Sequence, residues 1–446
     1  MDTQYFRIDG NSLRVARIRR TLIRRAACIL ARTPATEEAH ISFRLLLCSA
    51  ALCAAASLVR AQELGTFQEA YSRNHVFALR DAVQRSSATE FYKAAVEASA
   101  NEVPLAVEHL RSVIAAAPHS SDADRAHDLL ANLFFRNGRY QDGLKEIEAA
   151  LKEYPDAEDA KNMLPLARAL GQMPAMQVSS RKESKLQIEP GSTFLPLKLN
   201  GKEARFFFDT GAGFSVLTEA EVKELGLVAQ TVNSTMGDSS GKGVAGFRVV
   251  LVNDVTIGGL HLRYVPFLVL SDEGEPWNSL PLNRRGIIGL PILLAMRTLR
   301  WSSAGAFEFA FPAGSLNQAN CNMLFHNSNP VIDVRVEGKH LDFTLDTGAV
   351  DTDLNPPFAK ALPALMKTGS PERRTIEGVG GTTEGNSILL PSVSFQIGAR
   401  TVVLSPTHVF TEHGTGTWAA GNLGMDMLKQ SSTFTLDFES MTLELE

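Results

Sequence analysis

The chain has 446 residues, which is long for a single domain and favours about three. Hydrophobic residues make up 44% and charged residues 21%, ordinary values for a globular protein that argue against disorder, collagen and fibrous coiled coils. The formal net charge is −5, which excludes a nucleic-acid binder that relies on a basic surface.

The N-terminal extension, residues 1–61, is predicted to end in a signal peptide. Nine arginines lie within residues 1–44, and the apolar run Leu45–Val59 follows. As a helix this run would be about 22 Å long, which is short for a membrane span but typical of a secretory signal. Small residues at Val59 and Ala61 predict cleavage after Ala61 and an exported protein, periplasmic or secreted.

Three alternatives to this interpretation stay open: a buried helix, a true start near Ile41 or Phe43, and an uncleaved anchor. A membrane contact is expected only if the apolar segment is uncleaved. No lipidation is predicted at Cys48 or Cys53. Cleavage would leave Cys321 as the sole cysteine, which suits an oxidising compartment because a single thiol forms no internal disulfide.

Cysteine usage bears on metals as well. The four cysteines, the fourth being Cys28, include no CxxC pair, which excludes a disulfide framework and a cysteine-based zinc site. No metal and no cofactor is expected.

Residues 62–175 are rich in Ala, Leu and Glu at helical spacing and predict an all-α module. The segment from His127 to Pro155 resembles a tetratricopeptide repeat, although Gly143 stands where that family usually has alanine. A weaker copy ends at Pro118, and a capping helix is expected over Asp156–Leu170. The module either binds a protein partner or is a packed set of helices without a ligand.

A polar stretch at 176–189 is predicted to be a linker. Short alternating strands follow, which predict an all-β region in two halves, 190–315 and 325–446.

The two halves repeat the same motifs in the same order. A hairpin glycine, Gly201 or Gly338, lies eight residues before an Asp-Thr-Gly-Ala motif that begins at Asp209 or Asp346. A later motif follows each aspartate, Gly-Ile-Ile-Gly in the first half and Gly-Asn-Leu-Gly in the second. The period of 137 residues is too long for a solenoid and indicates a duplicated domain.

The paired Asp-Thr-Gly motifs resemble those of the retropepsin-like aspartic peptidases, with both halves in one chain and the likeness covering about 190–446. The resemblance implies a multidomain protein in which the helical-hairpin module precedes duplicated acid-protease barrels. It also implies an aspartic endopeptidase whose catalytic residues are Asp209 and Asp346.

The resemblance implies supporting roles for six further residues. The threonines would hydrogen-bond between the halves, the first glycines would let backbone N–H groups approach the carboxylates, and the later glycines would lie in the loop beneath each aspartate. These residues are Thr210, Thr347, Gly211, Gly348, Gly289 and Gly424.

Two aspartates held about 3 Å apart cannot both ionise easily, so such a pair shares one proton, as is known for the aspartic-protease dyad. The ionised member can accept a proton from water while the other donates to the substrate carbonyl. Alanine follows each motif here, where pepsin-like enzymes often have serine or threonine. We therefore expect a less acidic working range than pepsin's.

Glycine-rich stretches in each half predict flaps over an extended polypeptide substrate, although ordinary exposed hairpins share this pattern. The flap residues are Gly237, Gly241, Gly378 and Gly380. Asp351 is expected either to contact substrate or to be a solvated loop acid.

Other functions were weighed against the peptidase. The first rival is a non-catalytic peptide-binding or scaffold protein of the cell envelope, and a second possibility pairs each half with another chain. Residues 237–241 match G-x-S-x-G, but no helical pattern follows, which argues against a serine hydrolase.

Overall fold

The structure, a computed structural model, describes residues 65–232, 235–236, 244–245, 247–273, 277–378, 381–412 and 418–446. The predicted N-terminal extension and signal peptide lie outside these residues. A helical region comes first, with a helical stretch at 65–72 followed by consecutive helices. These are α1 (Val76–Arg85), α2 (Glu90–Ser99), α3 (Val103–Ala116), α4 (Ser121–Arg136), α5 (Tyr140–Glu153) and α6 (Glu158–Gly171).

Consecutive helices of this region pack side by side as hairpins. Helix α4 begins after Ser120, whose hydroxyl accepts a hydrogen bond from the N–H of Ala123 at 3.1 Å. Helix α5 approaches α4 closely at Gly143, where a Cβ would lie 3.0 Å from the ring of Phe135. The glycine that departs from the repeat pattern is thus explained by packing, and the tetratricopeptide likeness remains a prediction.

Arg136 attaches the helical region to the β region. Its buried guanidinium donates to the carbonyl of Ala98 and to Oδ1 of Asn101 within the helices, and to the carbonyl of Asn327 in the second half. Burial lowers the pKa of Arg136 to about 9. The carbonyl oxygens that surround this cation hold the two regions together.

The β region contains two halves that use the same strand order. The first half contains β3 (Phe194–Leu199), β4 (Lys202–Phe208), β5 (Ser215–Thr218), β6 (Gln230–Thr231), β7 (Thr235–Met236), β8 (Val244–Ala245), β9 (Arg248–Ile257), β10 (Leu260–Leu270) and β11 (Gly286–Ile288), with helices α7 (Glu219–Glu224) and α8 (Leu290–Met296). The second contains β14 (Met323–His326), β15 (Asn329–Val336), β16 (Lys339–Leu345), β17 (Asp353–Leu354), β18 (Ser370–Gly378), β19 (Gly381–Leu390), β20 (Val393–Ile397), β21 (Arg400–Leu404), β22 (Thr407–Phe410) and β23 (Gly421–Leu423), with α9 (Pro356–Ala361), α10 (Pro363–Met366) and α11 (Met425–Leu428).

Strand pairing shows the duplication directly. The first sheet runs β10-β5-β11-β4-β3-β9, and β9 pairs with β10 to close a barrel. The second sheet runs β22-β17-β23-β16-β15-β20 in the corresponding places. In each half the strand before the aspartate pairs in parallel with the strand that carries the later motif. The predicted fold class, a helical region followed by duplicated β-barrel halves, is confirmed.

A third sheet joins the halves. It contains β2 (Ser184–Gln187), β13 (Ala306–Phe309), β12 (Thr298–Ser302), β24 (Thr433–Asp437) and β25 (Thr442–Leu445), in that order. Strand β12 of the first half pairs antiparallel with β24 of the second, and Trp301 stacks on Phe434 with ring centroids 5.2 Å apart. The halves therefore share backbone hydrogen bonds as well as a hydrophobic core.

The stretch at 176–189, which the sequence predicts to be a linker, contains two short strands. They are β1 (Gln177–Ser180), which pairs with β10, and β2, which pairs with β13. Both are four-residue edge strands: the side chains of β1 are largely exposed, and those of β2 alternate between half-buried and exposed. Backbone pairing with distant strands, rather than a long hydrophobic pattern, forms them.

Candidate active site

The two Asp-Thr-Gly motifs follow equivalent strands and face each other across the interface of the halves. Asp209 comes directly after β4, and its backbone N–H donates to the carbonyl of Ile288 at 3.0 Å. Asp346 comes directly after β16, and its N–H donates to the carbonyl of Leu423 at 2.9 Å. The two aspartates therefore have the same attachment to the strand that carries the later motif.

Each carboxylate is held by its own loop. Oδ1 of Asp209 accepts from the N–H groups of Gly211 at 2.8 Å and Ala212 at 3.2 Å. Oδ1 of Asp346 accepts from Gly348 at 2.9 Å and from Ala349, the next residue, at 3.0 Å. These bonds aim the other oxygen of each carboxyl away from its own loop.

The carboxyl groups lie next to each other, as the contacts of the glycines show. A Cβ added to Gly211 would lie 2.7 Å from Cγ of Asp346, and one added to Gly348 would lie 2.6 Å from Cγ of Asp209. Only glycine fits at these two positions, because each loop packs against the carboxyl group of the other half.

Four hydrogen bonds formed by the hydroxyls of the two threonines lock the two loops together. The hydroxyl of Thr210 donates to the carbonyl of Leu345 at 2.8 Å and accepts from the N–H of Thr347 at 3.1 Å. The hydroxyl of Thr347 donates to the carbonyl of Phe208 at 3.0 Å and accepts from the N–H of Thr210 at 3.1 Å. Both threonines are buried, so this symmetric set of bonds fixes the distance between the aspartates.

The later glycines pack against the loop that follows each aspartate. A Cβ on Gly289 would lie 2.7 Å from the backbone nitrogen of Ser215, whose hydroxyl accepts from the glycine N–H at 3.0 Å. A Cβ on Gly424 would lie 2.6 Å from the carbonyl carbon of Asp351, and its N–H donates to the hydroxyl of Thr352 at 2.9 Å. These contacts support the loops without touching the carboxylates.

Burial raises the pKa of Asp209 well above its ordinary value, and the charge of Asp346 and the hydrogen bond between the two carboxyls raise it further. Hydrogen bonds from the N–H groups of Gly211 and Ala212 lower this pKa, but by less than burial and Asp346 raise it. The pair therefore holds one proton over a range of pH in which an isolated aspartate is ionised. A carboxylate beside a carboxylic acid can accept one proton and donate another.

The flap residues predicted from sequence fall largely outside the described residues, which include neither Gly237, Gly241 nor Gly380. Gly378 ends β18, and its register partner Gly381 begins β19. In the second half this hairpin is long, with nine paired positions.

Asp351 lies close to the same hairpin. Its carboxylate forms an ion pair with Arg374 of β18 at 2.9 Å, and Arg374 also lies 3.2 Å from Oδ1 of Asp353. Burial raises the pKa of Asp353 to about 6, although Arg374 opposes the shift. Asp351 thus ties the loop after Asp346 to the hairpin strand.

Asn422 is a site residue that the sequence reasoning missed. Its Nδ2 donates to Oδ2 of Asp346 at 3.1 Å, and its Oδ1 accepts from the hydroxyl of Thr344 at 2.6 Å. The signal was present in the comparison of the two later motifs, where Ile287 of the first half corresponds to Asn422 of the second. A polar residue in an otherwise apolar strand motif indicated a specific partner.

The helical region lies beside the loop of Asp209. Tyr140 of α5 stacks on Phe214, five residues after the aspartate, with ring centroids 6.2 Å apart. Val216 and Ile287 belong to the same hydrophobic cluster as Leu170 of α6. The apolar residues of the first half next to the aspartate are therefore packed against helices.

Within the described residues, no group of three or more His, Cys, Asp or Glu side chains is arranged to hold a metal ion. None of the helices in the described ranges combines the length and hydrophobicity that a bilayer crossing requires.

Two family models match the segments that carry the paired motifs. Residues 195–292 match the family model described as "Aspartyl protease", and residues 332–430 match the one described as "gag-polyprotein putative aspartyl protease". A retropepsin-like aspartic protease from Rickettsia conorii, of known crystal structure, shares 14% sequence identity, with 30% of this chain and 94% of that chain covered and a TM-score of 0.22. A search of curated proteins found no match.

Proposed function

From the two aspartyl protease domains of this chain, we propose that it is an aspartic endopeptidase, which hydrolyses peptide bonds with water activated between Asp209 and Asp346. The observation that carries the proposal is the adjacency of the two carboxyls, with each one packed against the glycine of the opposite loop. Two acids placed together in a buried setting are costly for stability, which favours a catalytic reason for their presence.

The proposed reaction begins when the ionised carboxylate accepts a proton from water as the water oxygen attacks the peptide carbonyl carbon. The protonated carboxyl donates its proton to the carbonyl oxygen, which gives a tetrahedral diol. One carboxyl then gives its proton to the nitrogen of the scissile bond while a hydroxyl of the diol returns a proton to the other carboxylate, the C–N bond breaks, and a carboxylic acid and an amine leave. The dyad ends with one proton, as it began, and needs no covalent intermediate.

The proposed substrate is an extended polypeptide that lies between the dyad and the β18–β19 hairpin. Main-chain hydrogen bonds to strands and pockets for alternate side chains are the usual means of holding such a chain. The packing of Tyr140 on Phe214 supports a role for the helical region in shaping one side of this cleft. A protein partner bound by the tetratricopeptide-like helical region belongs to the same proposal.

Export is the remaining part of the proposal, and it rests on the apolar sequence that ends near Ala61. Cys321 is buried, where its thiol contacts the guanidinium of Arg80 at 3.6 Å. A sheltered single thiol is compatible with a periplasmic or secreted location.

The test is cleavage of a peptide library from about pH 3 to about pH 8 by the wild type, Asp209→Asn and Asp346→Asn. We expect both variants to lose at least 1,000-fold in rate, because general acid and base contributions of about 10²–10⁴ each are removed. Asp156→Asn is the matched control, because Asp156 is fully exposed. Equal cleavage by all four proteins would refute the proposal.

The peptide-binding rival predicts a different result in the same experiment. It predicts that peptides bind to the wild type without being cleaved and that Asp209→Asn binds them with equal affinity. Fluorescence anisotropy of labelled library peptides measures this affinity.

A further inference from the structure

We propose that Asn422 is a positioning residue that makes Asp346 the ionised member of the dyad and leaves Asp209 to carry the shared proton. This inference rests on the proposed function and assigns the two chemical roles within it. Asp346 would accept the proton of the attacking water, and Asp209 would donate to the substrate carbonyl.

The first support is the orientation of the Asn422 amide. The hydroxyl of Thr344 donates to Oδ1 of Asn422 at 2.6 Å, which turns the NH₂ group toward Asp346. Nδ2 then donates to Oδ2 of Asp346 at 3.1 Å. Thr344 and Asn422 are register partners on the parallel strands β16 and β23, so the backbone fixes the pair next to the aspartate.

The second support is the contrast with the first half. Phe207 and Ile287 are register partners on β4 and β11 in the equivalent places. Neither side chain carries a hydrogen-bond donor, so Asp209 receives no counterpart of the Asn422 bond from this pair. The carboxylate of Asp346 accepts hydrogen bonds from two N–H groups of its loop and from the amide of Asn422. Among the hydrogen bonds of the described residues, the carboxyl of Asp209 accepts those from the two N–H groups of its loop and no amide bond.

This difference decides where the negative charge lies. A hydrogen bond donated to a carboxylate favours its ionised form, and two adjacent carboxyls that share one proton respond to a small difference between them. The apolar surroundings of Phe207 and Ile287 disfavour a charge on that side.

The experiment compares the wild type with Asn422→Ile, which reproduces the first-half residue. Removal of the amide destabilises the anion, so the dyad first loses a proton at higher pH. We expect the acid limb of kcat/KM to move upward by about one pH unit, from the usual strength of hydrogen bonds to charged groups. Asn283→Ile, the same change on an exposed turn, should leave the limb unmoved.

A direct readout uses ¹³C NMR of carboxyl-labelled aspartate, with Asp209→Asn and Asp346→Asn assigning the two signals. In the wild type we expect Asp346 to titrate first and Asp209 to titrate at higher pH. Thr344→Val, which removes only the group that orients the amide, should narrow the gap between the two signals. Thr344→Val therefore still tests the assignment if Asn422→Ile does not fold.

Either of two results would overturn the assignment: Asp209 ionising first in the wild type, or a folded Asn422→Ile or Thr344→Val with an unchanged order and acid limb. A wild type that cleaves no peptide would instead remove the proposed function. The carbon signals would still report the order of ionisation, so the two failures are distinguishable.

Discussion

The threonine bonds between the loops allow a quantitative prediction for Thr210→Val. Valine has nearly the shape of threonine, so the change removes a hydroxyl and little volume. It leaves the carbonyl of Leu345 without this donor and the N–H of Thr347 without this acceptor. At about 1–3 kcal/mol for each of these two buried groups left unpaired, we expect the free energy of unfolding to fall by about 2–6 kcal/mol.

The assay is urea denaturation followed by tryptophan fluorescence, because Trp301 is buried in the sheet shared by the halves. Thr298→Val is the matched control, since Thr298 is equally buried but donates a single bond, to the carbonyl of Phe311 at 2.9 Å. We expect it to lose about 1–3 kcal/mol, and Thr210→Ser to lose less than Thr210→Val because it keeps the hydroxyl. Equal losses for the two valine variants would refute the reasoning.

Three further predictions concern packing, pH and concentration. Gly348→Ala should lower kcat/KM at least 100-fold, because the added Cβ would displace the carboxyl of Asp209. In the control Gly213→Ala the added Cβ makes an ordinary 3.4 Å contact, so kcat/KM should fall less than tenfold. Steady-state kinetics measures both variants, and similar losses would contradict the packing argument. Burial raises the pKa of Glu221 to about 8, so the folded state keeps a proton that the unfolded state loses near pH 4.5. Stability should therefore fall with rising pH between these values by up to about 1.4 kcal/mol per unit, and urea midpoints of Glu221→Gln should fall less steeply than those of the wild type. Specific activity should not change on dilution, because Asp346 comes from the same chain as its partner; a loss at nanomolar concentration would indicate that another chain completes the site.

The meeting of the two aspartates could be predicted from sequence because duplication preserves local geometry. Asp209 and Asp346 each follow a strand at the same distance from a hairpin glycine, so one fold places both at equivalent points. The helical region could be predicted equally well, because the 3.6-residue spacing of apolar residues is a local pattern.

Features that depend on distant pairing could not be predicted in the same way. The strands at 177–180 and 184–187 have four residues each, too few for a hydrophobic pattern to mark them, and their partners are more than 80 and 110 residues away in sequence. The stacking of Tyr140 on Phe214 likewise depends on how the helices meet the first half. Asn422 is an intermediate case, because the sequence indicates its role only when one half is compared with the other.

The sheet shared by the halves has a consequence for how such a site can change over evolutionary time. In a symmetric dimer of identical subunits, every mutation appears twice, once on each side of the axis. Here one polypeptide supplies both sides of the site, so a mutation changes the surroundings of one aspartate and leaves those of the other aspartate unchanged. This chain has isoleucine at 287 and asparagine at the equivalent position 422, a difference between the two sides that a dimer of identical subunits cannot have.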